Sequence, residues 1–199
     1  MSQTPSKPSN PPPPPQFSRP ERGMCGVRGY RQCICGVCGC FDGHCMVSMS
    51  DGTKKLIKDV RMGDIVFGGF EVMCVVEYKV TKDTHDLVKL GNLCITPWHP
   101  IKVDKDWVYP TDLGGFKYTS SEPVYNLVLN CGHTVDIDGY TCCTLAHKMK
   151  GPVIEHPYWG TNSVVNDLMC CDGWMDGFVS RTDQKFERDD NGEVVRMVL

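Results

Sequence analysis

Apolar and polar residues alternate over short stretches from Cys45 to about residue 147, as they do in half-buried β-strands. The stretch "CMVSM" alternates, "FEVMCVVEYKV" is the longest strand-like run and "VYNLVLN" is a shorter one, and turn residues separate such stretches. Asp138-Gly139 lies between two of the runs and is a strong hairpin signal. Many short strands with frequent turns predict an all-β fold, either a barrel or a compact domain of many hairpins.

Helical periodicity occurs in one place. The apolar positions of "SVVNDLM", Ser163 to Met169, would lie on one face of a two-turn helix. We interpret residues 148–180 as an extension of the β domain that contains little helix. Residues 181–199 are rich in charge, so we expect them to form a tail beyond the compact domain.

The N-terminal part of the chain has a different composition. Residues 1–22 are rich in Pro and Ser and contain five consecutive prolines, Pro11–Pro15. Such a composition cannot bury a core and favours polyproline II, so we predict a disordered leader. Residues 23–39 form a Cys/Gly-rich flank between this leader and the β domain.

Charge and hydropathy exclude several classes of protein. A net charge of −3 and a pI of about 6.0 leave no basic footprint, so we expect no nucleic-acid partner. No apolar run approaches the ~18 residues that a membrane span needs. The N terminus lacks the hydrophobic segment of a secretory signal. We therefore expect a cytoplasmic rather than a secreted protein.

Thirteen cysteines are many for 199 residues. Without an export signal disulfides are disfavoured, so the thiols are expected to be buried, reactive or bound to metal. Four of them precede the β domain and could bind zinc: Cys25, Cys33, Cys35 and Cys38. Only Cys35-x-x-Cys38 has knuckle spacing. We favour a metal-free flank with no cofactor, and a zinc-binding interaction scaffold is the alternative.

Candidate chemistry is concentrated where the flank meets the β domain. Gly39-Cys40 lies at this junction, and "ITPWHP" places Thr96 three residues before His99. A thiol beside a histidine is the usual equipment for acyl transfer. If Cys40 attacks the carbonyl of Gly39, the amide becomes a thioester. His99 would protonate the departing nitrogen, and Thr96 would hold the peptide in a distorted geometry.

Three blocks of the sequence resemble the Hint superfamily, which includes inteins and Hedgehog autoprocessing domains. They are "CFDGHCMVSMSDGTKKLIKDVRMGDIV", "LCITPWHPIKVDKDWVYP" and "VYNLVLNCGHTVDIDGYTCCTLAH". "VIEHPYWGTNSVVNDL" resembles the extension that follows them in the Vint group, to which the chain is most similar. The resemblance implies a compact horseshoe of short strands and hairpins, with a Hint-like domain over residues 40–147 and a Vint-type extension over 148–180.

The resemblance also implies roles for single residues. Cys40 takes the place of the Hint nucleophile, and Thr96 and His99 match the block that activates the scissile amide. His133 matches a histidine of the last intein block, which assists the later chemistry. Cys143 stands where inteins have their penultimate histidine and where Hedgehog domains have a cysteine.

The chain departs from inteins at the end of the last block. Thr144 follows Cys143 where an intein has asparagine, and more than fifty residues continue. Asparagine cyclisation, and with it protein splicing, is excluded. We expect single-turnover cleavage between Gly39 and Cys40, with the protein's own N-terminal flank as substrate. Water, a small nucleophile or a protein acceptor would release the thioester.

Two further positions lie near the matched blocks. Glu77 corresponds loosely to the acidic residue with which Hedgehog domains activate sterol, but the chain has no recognisable sterol-binding segment. His156 is interpreted as a hydrogen-bonded structural histidine.

Overall fold

The computed structural model describes residues 39–199, which form sixteen β-strands, one α-helix and two short 3-10 helices. The strands are β1 (Phe41–Asp42), β2 (Met46–Ser48), β3 (Lys54–Leu56), β4 (Ile65–Val66), β5 (Phe70–Lys79), β6 (His85–Leu90), β7 (Leu93–Ile95), β8 (Ile101–Val103), β9 (Asp106–Val108), β10 (Phe116–Ser120), β11 (Val124–Leu129), β12 (Thr134–Ile137), β13 (Tyr140–Cys143), β14 (Phe178–Thr182), β15 (Phe186–Arg188) and β16 (Val194–Met197). The helix is α1 (Asn162–Met169), and the 3-10 helices are Ile57–Asp59 and Pro110–Leu113. The predicted leader and the flank before Gly39 lie outside the described residues.

The strands form two large sheets and one separate hairpin. The larger sheet has the order β10-β6-β7-β1-β11-β5-β14, with β4 also paired to β5. The second sheet has the order β3-β2-β12-β13-β8-β9, and β15 pairs with β16. All pairings are antiparallel except that of β14 with β5. The prediction of an all-β fold is confirmed, and the Asp138-Gly139 turn joins β12 to β13 as expected.

Two apolar clusters cover opposite faces of the larger sheet, as β5 illustrates. Val75 belongs to the cluster between the two sheets, whereas Cys74, Val76 and Tyr78 belong to a second cluster. Side chains along a strand alternate between faces, so the nearly unbroken burial of β5 requires cover on both sides. The second cluster includes residues of α1, β14 and β16. The chain after residue 147 therefore provides half of the cover for this strand.

The helix begins one residue before its predicted start at Ser163. Thr161 precedes it, and the Thr161 hydroxyl oxygen accepts a hydrogen bond from the Ser163 amide at 3.3 Å. Val164 and Leu168, four positions apart, are fully buried. A helix of eight residues is marginal on its own, so this packing stabilises it. No helix within residues 39–199 is long and apolar enough to cross a membrane.

The expectation of a charged tail over residues 181–199 is wrong. Val194 and Met197 are 1% exposed and belong to the second cluster. The amide of Met197 donates to Asp167 Oδ2 at 2.8 Å, and the ring of Phe186 lies 5.0 Å from that of Trp159. The hairpin buries Val194 and Met197 against the domain, while most of its charged residues and Val195 are exposed.

Candidate active site

The peptide bond between Gly39 and Cys40 lies at the start of a central strand. In β1, Phe41 pairs with Ile95 of β7 on one side and with Tyr125 of β11 on the other. The residues next to Ile95 and Tyr125 therefore reach the Gly39-Cys40 bond from the two neighbouring strands. Gly39 has a φ of +92°, in the left-handed region that favours glycine.

Thr96, directly after β7, holds the amide side of this bond. Its Oγ1 accepts hydrogen bonds from the amide of Cys40 at 2.9 Å and from that of Gly39 at 3.2 Å. The Thr96 amide donates in turn to the Cys40 carbonyl at 2.9 Å. These three bonds fix the position of the peptide plane, and the Thr96 side chain is 2% exposed.

Asn126, in β11, holds the carbonyl side. Its Nδ2 donates to the carbonyl oxygen of Gly39. Its Oδ1 accepts from the amide of Leu127 at 2.7 Å, which orients the side-chain amide. Nucleophilic attack on a carbonyl builds negative charge on its oxygen, and a fixed donor at that oxygen stabilises the charge. Asn126 therefore supplies a fixed donor at the Gly39 carbonyl oxygen.

His99 is the third residue that lies close to this peptide bond. Its Nε2 donates to the carbonyl of Cys143 at 2.8 Å, which leaves the lone pair on Nδ1. Nδ1 is buried and has no hydrogen-bond partner within residues 39–199. A Cβ added to Gly39 would lie 3.6 Å from it, so Nδ1 lies close to Gly39. Burial lowers the pKa of His99 to about 4, so the ring is neutral at neutral pH.

The remaining predicted residues differ in how close they lie to the bond. Cys40 is 1% exposed and belongs to the second apolar cluster. Cys143 orients His99 through its backbone carbonyl, and burial raises the pKa of its thiol. His133 is half-buried at φ +54° and does not itself line the cavity described below, but its carbonyl accepts from the amide of Thr144 at 3.0 Å. Burial, and then the nearby charge of Lys148, lowers the pKa of His133.

A cavity of about 30 Å³ adjoins the Gly39 carbonyl. Its lining includes His99 and Asn126 from the β domain and His147 at the end of that domain. The opposite wall comes from the extension and consists of Ile154, His156 and Trp159.

Two of the lining histidines are oriented by backbone amides. The Nδ1 of His147 accepts from Met149 at 3.1 Å, and the Nδ1 of His156 accepts from Tyr158 at 3.0 Å and Trp159 at 3.1 Å. Burial is the main reason that the pKa of each ring falls to about 4. Both rings are therefore neutral at neutral pH. His156 is hydrogen-bonded as expected, and it also lines the cavity.

Asn126 was not singled out by the sequence analysis. A usable signal was present, because Asn126 interrupts the otherwise apolar run "VYNLVL". All six residues of this strand are buried, and a buried amide requires hydrogen-bond partners. A polar residue inside a fully buried strand was therefore the clue to a site.

Glu77 is a satisfied structural carboxylate. It accepts from the hydroxyls of Tyr125 at 2.8 Å and Ser180 at 2.7 Å, and it pairs with Lys79 at 2.8 Å. Burial favours a higher pKa, but these partners outweigh it and lower the pKa of Glu77. Within residues 39–199 no cluster of His, Cys, Asp or Glu could hold a metal ion. The four cysteines of the zinc hypothesis lie outside the described residues.

The all-β fold, with a threonine and a histidine around a Gly-Cys bond at its start, is of the Hint-domain class. A family model described as "Vint: Hint-domain" matches residues 39–197, so the chain belongs to the Vint family. The match spans the extension and the C-terminal hairpin as well as the β domain.

Two solved structures are similar to this chain. The crystal structure of the gp41-1 intein is 14% identical, with a TM-score of 0.40, and covers 53% of this chain and 98% of the intein. A gp41-1 intein variant with three substitutions is 13% identical, with a TM-score of 0.41, and covers 53% and 99%. No curated protein matches the chain.

Proposed function

We propose that this protein cleaves its own backbone between Gly39 and Cys40 through an N-to-S acyl shift. The observation that supports the proposal is how this one peptide bond is held. Asn126 binds its carbonyl oxygen, Thr96 binds its amide nitrogen, and Nδ1 of His99 lies close to Gly39. A peptide bond with no function would not require a buried donor, a buried acceptor and a buried base.

Each group has one task in the proposed step. The thiol proton of Cys40 passes to Nδ1 of His99 as Sγ attacks the carbonyl carbon of Gly39. Asn126 stabilises the negative charge that develops on the oxygen. The bond from carbon to nitrogen then breaks, and His99 gives its proton to the Cys40 nitrogen. The products are a thioester and a free amino group.

The low pKa of His99 suits the second half of this step. A histidine whose protonated form has a pKa of about 4 releases its proton readily, and an amide nitrogen leaves only when it is protonated. Thr96 keeps the peptide plane in the orientation that presents the carbonyl to Asn126.

The reaction ends in cleavage and not in splicing. Splicing requires an asparagine that cyclises, and Thr144 occupies that position after Cys143. The next residues continue directly into the domain, since the amide of Leu145 donates to Leu127 at 3.1 Å and that of Ala146 to Trp159 at 2.8 Å.

The test uses the full chain and intact-mass measurement. Incubation with dithiothreitol or hydroxylamine should give two products, residues 1–39 and 40–199, and Cys40→Ala should abolish them. Cys131→Ala is the matched control, because Cys131 is an exposed thiol away from the bond. A chain that stays intact after long incubation would overturn the proposal and favour a non-processing interaction scaffold.

A further inference from the structure

We propose that water resolves the thioester at Gly39, and that the C-terminal extension builds the chamber from which this water attacks. The inference rests on the proposed function, because it concerns the fate of the thioester. It also assigns a role to residues 148–199 beyond completing the fold.

Three residues that line the cavity beside Gly39 each carry an unpartnered polar atom. The atoms are Nδ1 of His99, Oγ1 of Thr144 and Nε1 of Trp159, and each is buried without a hydrogen-bond partner within residues 39–199. The three side chains are 1%, 2% and 6% exposed. Buried polar groups are nearly always hydrogen-bonded, and three orphans around one cavity are typical of an ordered water site.

The chemistry of these atoms fits water. The indole N–H of Trp159 can only donate, and the His99 lone pair can only accept, so the molecule between them must both accept and donate. Thr144 can do either. The proton of His147 lies on Nε2, because its Nδ1 accepts from Met149, and this gives the chamber a further donor.

The size of the chamber suits water. Its volume of about 30 Å³ holds about two water molecules, since one molecule needs roughly 10–15 Å³. Trp159 is fixed by ring contacts with Tyr158 at 4.8 Å and Phe186 at 5.0 Å.

The extension is bonded to the end of the β domain at this place. The amide of Ala146 donates to the Trp159 carbonyl, and that of Lys148 donates to Gly160, both at 2.8 Å. The wall that carries the Trp159 N–H is therefore held in register with Thr144 and His147.

In the proposed hydrolysis, His99 accepts a proton from water and later returns it to sulfur. The oxygen of water attacks the thioester carbon of Gly39 while its proton passes to Nδ1 of His99. Asn126 again holds the charged oxygen, the bond from carbon to sulfur breaks, and His99 returns the proton to the Cys40 sulfur. The products are the carboxyl group of Gly39 and Cys40 with a free thiol and amino group.

The first test is cleavage of the full chain in water enriched in heavy oxygen, without added thiol. We expect the fragment of residues 1–39 to gain one heavy oxygen atom at Gly39. Cleavage with hydroxylamine but not with water would overturn the inference and leave the proposed function intact. No cleavage with either nucleophile would overturn the proposed function itself.

The second test removes single polar atoms from the chamber. Thr144→Val and Trp159→Phe should each slow release by water roughly tenfold, the effect of one lost hydrogen bond, and leave the hydroxylamine-dependent rate nearly unchanged. Thr144→Ser should restore release by water. Thr141→Val, on an exposed position of β13, and Trp174→Phe, in the same apolar cluster, are the controls.

A purely structural role would give a different pattern. Loss of packing would slow release by water and by hydroxylamine to the same extent, and Thr144→Ser would bring no specific recovery. An unchanged ratio of the two rates in both variants would therefore contradict the chamber.

Discussion

The β domain and the extension contribute to the site in different ways. Within residues 39–199, the side chains that hydrogen-bond to the Gly39-Cys40 bond come from the β domain: Thr96 from the end of β7, and Asn126 from β11. The extension reaches only the cavity beside the bond, through Ile154, His156 and Trp159. The β domain hydrogen-bonds to the peptide bond, and the extension lines part of the cavity beside it.

This difference separates two steps of the proposed reaction. Forming the thioester needs only groups of the β domain. Resolving it with water needs a space that holds the water, and part of the lining of that space comes from the extension. Changes in the two regions should therefore affect different steps.

The largest effect is expected in the β domain, at the oxyanion donor. Asn126→Ala should slow formation of the thioester about a hundredfold to a thousandfold, because the charged oxygen loses its fixed donor. The rate of hydroxylamine-dependent cleavage measures this step. Asn130→Ala, on an exposed residue just after the same strand, should leave the rate unchanged. A rate for Asn126→Ala close to that of the parent chain would remove Asn126 from the mechanism.

A core substitution in the extension should lower stability and slow release by water more than formation of the thioester. Leu168→Ala should lower the free energy of unfolding by about 2–5 kcal/mol, because it leaves a cavity where α1 packs. Thermal or urea unfolding measures this loss, with the exposed Met169→Ala as control. If the separation holds, release by water slows more than formation of the thioester. Equal slowing of both steps would argue against two independent regions.

Stability should fall as the pH is lowered from 7 to 5. His99, His147 and His156 have pKa values of about 4 in the folded chain, below the 6.5 expected when unfolded. Between these values the unfolded chain binds more protons, so stability is present above pH 6.5 and is lost as the pH falls towards 4. The loss at pH 5 is on the order of 2 kcal/mol per ring.

Single histidine variants show how much of the stability lost at low pH comes from each region. His156→Gln should remove one ring's share of the pH dependence from the extension, and His99→Gln should remove a share from the β domain. Urea unfolding at pH 7 and pH 5 makes the comparison. An unfolding free energy that is the same at both pH values would contradict the burial of these neutral rings.

The smallest effect concerns the start of the helix in the extension. Thr161→Ala should cost about 1 kcal/mol, because the Ser163 amide loses its capping oxygen. Thr161→Ser should retain most of the stability. A shift of the unfolding midpoint as large as that of Leu168→Ala would mean that Thr161 does more than cap the helix.

The sequence predicted the β domain better than the extension, for physical reasons. Strand-like runs bounded by turn residues located β2, β5 and β11, and the Asp138-Gly139 signal located the turn between β12 and β13. Val194 and Met197 gave no such signal, because two buried residues in a charged hairpin do not make a pattern. Their burial depends on α1 and β5, which are distant in the sequence.

The site divides in the same way. Gly39, Cys40, Thr96 and His99 were predicted, and the structure brings them together at one peptide bond. The chamber could not be predicted, because it depends on contacts between residues such as Thr144 and Trp159 that no local motif links. The roles of all these residues stay predictions until the cleavage is measured.

The most direct test of the central claim is to trap the thioester with hydroxylamine and to sequence the product by mass spectrometry. The account predicts residues 1–39 ending in a hydroxamate on Gly39, and no such product from Cys40→Ala. An intact chain, or a cleavage at any other bond, would contradict it.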